Sequence, residues 1–80
     1  KSLSMKIRVV SPDRHQDRIV RIYGREPGLG EEVHVHWHKE VDGKLNVHYF
    51  DGIVERVIWT MGEDPSNVRC SLHLRKRVRS

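Results

Sequence analysis

Residues 33–60 read VHVHWHKEVDGKLNVHYFDGIVERVIWT, and this stretch decides the fold class. Val33, Val35 and Trp37 alternate with His34, His36 and His38, the period of two that belongs to a half-buried strand. Asp-Gly occurs at Asp42-Gly43 and again at Asp51-Gly52, so the stretch reads as three antiparallel strands joined by two turns. A two-residue loop at the first turn would place Val33, Val35 and Trp37 beside Asn46, His48 and Phe50 and mix the faces. A three-residue loop with Gly43 as a left-handed bulge residue instead pairs Trp37 with Val47 and Val35 with Tyr49. That choice collects Val33, Val35, Trp37, Leu45, Val47 and Tyr49 on one face, with His34, His36, His38, Asn46, His48 and Phe50 on the other. Because a slip of one residue turns every side chain over, the apolar pattern predicts the bulged turn. If the second turn repeats it, Val54 and Ile58 join the histidine side of a third strand that is apolar on both faces. Such a strand must be covered on both sides.

Outward from this stretch the pattern stays β. Met5, Ile7 and Val9 alternate with Lys6 and Arg8, Ser11-Pro12-Asp13-Arg14 has the residues of a type I turn, and Asp17 to Tyr23 returns as a second strand. Gly24 to Glu31 is an irregular connection. Its Gly28-Leu29-Gly30 is followed by a strand rather than a helix, which removes the context a phosphate loop needs. Met61 to Asn67 is a further loop. Beyond it Val68, Cys70, Leu72 and Leu74 alternate with Arg69, Ser71, His73 and Arg75, placing Cys70 inward. Val and Ile total 16, Leu totals 5 and Ala is absent, a composition suited to strands rather than helices. The expectation is an all-β domain, a six-stranded antiparallel meander forming a small barrel or sandwich with no substantial helix. Residues 1–80 read as a single domain excised from a longer multidomain protein, with 76–80 as a basic tail. A domain of this size buries about 60% of the surface of its unfolded chain, so its core is thin.

No apolar run approaches the roughly 18 residues that span a bilayer, so no membrane role is expected. A single cysteine, Cys70, excludes an internal disulfide and a cysteine-cluster metal site, and fits an intracellular protein, cytoplasmic or nuclear. Charge is unevenly distributed: residues 1–25 carry 7 cations and 2 anions, 26–68 carry 3 and 9, and 69–80 carry 5 and 0.

Six histidines are the most unusual feature. His34 and His38 lie roughly 13 Å apart along a strand rising ~3.3 Å per residue, too far to share an ion. The best three-imidazole zinc set is His36 and His48 with either His34 or His38, of which His36, His38 and His48 is the set expected, although no carboxylate is evidently placed to orient the rings. A second reading makes the same face a pH sensor. Cys70 and His73 differ in parity, and the acidic pairs Glu31-Glu32 and Glu63-Asp64 have no partner, so no nucleophile, base and orienter assemble and no enzyme or small-molecule substrate is expected.

Two function classes remain. The first is a non-catalytic protein-interaction or scaffolding module, binding a protein partner or a second copy through an outer sheet face or an edge strand, with Phe50, Val54, Ile58, His36 and His48 as contact residues. The alternative is a basic β-module for RNA or DNA using Lys6, Arg8, Arg69, Arg75, Lys76, Arg77 and Arg79. VHVHW at 33–37 is similar over five residues to the second RNA-binding motif of cold-shock domains, but the glycine-aromatic strand that precedes it there is missing, and the chain is assigned to no family. A competing account of these cations is edge protection: lysine and arginine commonly guard the outermost strands of a sheet, and the first and last strands are expected to be those.

Overall fold

The computed structural model describes residues 4–62 and 68–78. Five strands form one sheet: β1 Ser4–Val10, β2 Asp17–Tyr23, β3 Glu32–Val41, β4 Lys44–Trp59 and β5 Cys70–Arg75. Among the described residues there is no helix. The strand order is β2-β1-β5-β4-β3, so the expected six-strand meander is corrected to five strands in a mixed sheet. The last strand inserts between the first and the fourth, pairing parallel with β1 and antiparallel with β4. The sheet nearly closes into a small barrel. The outermost strands β2 and β3 approach through Arg18, whose guanidinium carbon lies 4.4 Å from the Trp37 ring centroid, a contact of cation–π type.

Inside lie Ile7, Val9, Val35, Val54, Cys70, Leu72 and Leu74, all buried, with Met5, Val20, Ile22, Val33, Trp37, Phe50 and Val57 packed around them. The alternations read from β1, β3 and β5 therefore place the core residues, and barrel curvature hides Val20 and Ile22. Val54 is 1% exposed and belongs to the core, not to an outer contact surface. Its pairing with Leu74 and the bulge between Val54 and Arg56 return Val57 to the inner face opposite Leu72, and leave Ile58 outward opposite Ser71.

Two turns were expected in the central stretch, and one exists. At the first, Asp42 and Gly43 have φ of 52° and 76°, both left-handed, as a two-residue type I′ turn requires. The register is therefore Val35 with Phe50, His36 with Tyr49, Trp37 with His48 and Val41 with Lys44, one residue away from the bulged alternative. At the second site β4 runs straight on for 16 residues. Gly52 is there because a Cβ on it would stand 2.6 Å from the Arg75 carbonyl oxygen, 2.9 Å from Leu74 Cβ and 3.1 Å from Pro12 Cγ.

Pro12 is held in that contact by its own loop. The Ser11 carbonyl accepts from the Arg14 amide at 3.0 Å, which closes the expected turn. Buried Ser11 donates its hydroxyl to Asp13, whose carboxylate also accepts from the His15 amide at 3.0 Å.

Candidate functional site

The pairing pattern divides the outside of the molecule into two surfaces of different chemistry. One is an arm, the hairpin of β3 and the first part of β4. From Lys44 to Gly52, β4 pairs with β3 alone, because β5 joins it only from Ile53 onward. The inner face of this arm carries Val33, Val35, Trp37, His48 and Phe50. His48 stacks on Trp37 with ring centroids 5.6 Å apart, and Phe50 meets Trp37 edge-on at 5.7 Å.

The outer face of the arm carries His34, His36 and His38 opposite Asp51, Tyr49 and Val47, with Leu45 opposite Glu40. Leu45, Val47 and Tyr49 are 65%, 59% and 66% exposed, so these three consecutive outward positions bury little of their apolar surface. His36 stacks on Tyr49 at 5.8 Å with 22° between the ring planes, which restrains both rings. At the base of the face Glu32 accepts from His34 Nε2 and, at 2.8 Å, from Arg77. Asp51 lies 3.4 Å from His34 Nδ1 on the other side. Carboxylates thus do flank one imidazole, contrary to the reading of the sequence. The His34 hydrogen bond, followed by that from Arg77, holds the Glu32 carboxyl below its ordinary range.

The proposed contact set does not form one surface. His36 is on the outer face of the arm, Phe50 and His48 are on its inner face, Val54 is in the core, and Ile58 is half-buried on the far side of the barrel. The zinc set fails for the same reason, since His48 projects from the opposite face to His36 and His38. Among the described residues no cluster of three His, Cys, Asp or Glu side chains is placed to hold a metal. The residues that reading the sequence missed are Leu45, Val47 and Tyr49, which the bulged register had turned inward.

The second surface is the outside of β2, β1, β5 and the C-terminal part of β4. Lys6 stands opposite Arg21 and Arg8 opposite Ile19 and Ser71, while Arg56 and Val10 flank His73. Arg75 occupies the outward end of β5, and Arg69 immediately precedes that strand. Lys6, Arg8, Arg21, Arg56, Arg69 and Arg75 are all exposed. Lys76 and Arg77 lie elsewhere: Arg77 is paired with Glu32, and Lys76 lines a cleft of about 290 Å3 with Ser11, Asp13, Tyr49 and Asp51. Arg79 and Ser80 of the basic tail, and residues 63–67 of the loop before β5, lie outside the described residues. Cys70 and His73 project from opposite faces of β5, and burial, with Glu26 adding, pushes the Cys70 thiol above its usual range.

No family model, curated protein or solved structure matches the chain.

Proposed function

We propose that this chain is a non-catalytic protein-interaction module whose contact surface is the outer face of the arm together with the adjoining free edge of β4. The observation that carries the reading is the coincidence of the two: the segment of β4 that lacks a second paired strand, Lys44 to Gly52, is the segment that turns Leu45, Val47 and Tyr49 outward. An isolated two-stranded ribbon is marginal in water, and an apolar ladder on an unpaired strand is a surface another chain can cover.

Magnitudes favour use of both parts. Fully burying a large apolar side chain is worth about 1.5–3 kcal/mol, so three that are roughly two-thirds exposed offer about 3–6 kcal/mol in all. Association costs about 4–15 kcal/mol in lost freedom. The side chains alone therefore fall short of firm binding, and main-chain hydrogen bonds along the β4 edge, at about 0.5–1.5 kcal/mol each, supply the remainder by strand addition. Tyr49 is the anchor, being a residue type enriched at energetic centres of interfaces and already restrained by His36.

A photo-crosslinking side chain placed at position 45 or 49, and as a control at Ile19 on the opposite surface, tests this in cells that naturally express the protein. The arm positions are expected to yield a discrete protein adduct, either a heterologous partner or a second copy, that Val47→Asp abolishes without lowering the melting temperature. Adducts of equal yield from position 19, or adducts indifferent to Val47→Asp, would refute the assignment.

A further inference from the structure

The cations of the second surface have a use that the arm does not explain. Edge protection fails for them, because the strand order puts β1 and β5 in the interior of the sheet, and Lys6, Arg8 and Arg75 ride on those two strands. They are also arranged against their own interest. Lys6 is directly opposite Arg21 on the neighbouring strand, and like charges so placed destabilise a sheet.

Among the described residues, compensation is slight. Asp17 reaches Arg8 at 3.5 Å, and Arg21 donates to the neutral Ser4 hydroxyl at 2.7 Å. Glu55, beside Arg56, is engaged by Arg14. The remaining carboxylates among the described residues lie mainly on the connection before β3, on β3 itself and on the arm, so the net charge of +4 understates the positive field over this surface.

We propose that this face binds the phosphodiester backbone of a nucleic-acid duplex, without preference for sequence. Lys6, Arg8 and Arg21 stand on the adjacent strands β1 and β2, and Arg69 immediately precedes Cys70, which is opposite Ile7 on β1. These four span three neighbouring strands, about 10 Å across at ~4.8 Å per strand, rather than ringing an apolar tip that would enter a lipid surface, while Arg56 and Arg75 lie further round the barrel. A duplex fits better than a single strand because stacking platforms for bases are sparse: Tyr23, on the edge strand, is the aromatic ring at an outward position of the paired strands here. Phosphates over Lys6 and Arg21 would relieve the repulsion that the fold tolerates. This face is separate from the arm, and the inference does not depend on the partner proposed there.

Fluorescence anisotropy with a labelled 20-base-pair duplex between 50 and 200 mM salt tests it. Four contacts, through Lys6, Arg8, Arg21 and Arg69, predict a log–log slope of about −3.6 and a fall in affinity on the order of 100-fold over that range. Replacing Lys6 and Arg21 together by Gln should reduce the slope by about 1.8 while raising the melting temperature, since the repulsion goes with them. Replacing Lys39 and Lys44 on the arm, with the same loss of net charge, should leave the slope unchanged. Equal effects from the two double variants would overturn the proposal. So would tighter binding of the matching single strand, or preference for vesicles containing anionic lipid over the duplex.

Discussion

Gly43 and Gly52 each follow an aspartate, and the two dipeptides do unrelated work. Gly43, at φ 76° with nothing within 4 Å of a built Cβ, is required for its backbone conformation. Gly52 is required for space, because the Arg75 backbone stands where its side chain would begin. Gly43→Ala should cost about 1 kcal/mol through strain, and Gly43→Asn much less, since asparagine tolerates the left-handed region. Gly52→Ala forces two backbones and Pro12 apart and should cost about 1–3 kcal/mol, as overpacking does. At about 4–8 °C per kcal/mol for a domain of this size, thermal melts separate the two. A Gly52 variant as mild as the Gly43 one would contradict the close packing of β4, β5 and the Ser11 loop. At Glu32 the expectation is acid sensitivity. Its folded pKa is depressed below the ordinary 4.5, so its contribution is present above that value and is lost as pH falls through the folded value. Glu32→Gln should lower the melting temperature at about pH 6, and the difference from the parent protein should shrink as pH falls below the ordinary 4.5. Parallel curves would sink the His34 and Arg77 contacts as their cause.

The elements show where the chain could be read and where it could not. The alternations of β1, β3 and β5 were legible because each has one face on the core, so burial and residue type agree at Ile7, Val9, Val35, Cys70, Leu72 and Leu74. The first half of β4 misled for a physical reason. Its apolar residues at 45, 47 and 49 sit on a ribbon that projects past the strands closing the core, so no core selects their face. Local turn chemistry settled the register instead: Asp-Gly is among the strongest signals for a type I′ turn, and the directly opposed stacks His36–Tyr49 and Trp37–His48 are worth about 0.2–1 kcal/mol each. The second Asp-Gly could not be read as a strand interior, because what crowds Gly52 comes from Pro12 and β5, both remote in sequence. Val54 turns inward with the same register, and the bulge that follows it, which returns Val57 inward, sits beside the backbone of the connection before β3, which bonds Val54 through Gly30 and Glu31 at 2.9 Å.

At the scale of the molecule, one topological fact reorganised the reading of function. Short connections suggested that neighbours in sequence would be neighbours in space, yet the C-terminal strand slots between β1 and β4. That insertion takes β1 and β5 away from the edges, sets their outward cations side by side, and leaves the first part of β4 without a second paired strand. Both proposed surfaces follow from it, but the assignment of the arm rests as well on its register, which determines whether three apolar side chains meet solvent or the barrel. Side-chain NOEs in the arm test this most directly. Ring contacts are expected from His36 to Tyr49 and from Trp37 to His48; contacts joining Trp37 to Val47 and Val35 to Tyr49 would turn the ladder inward and rule out the type I′ register.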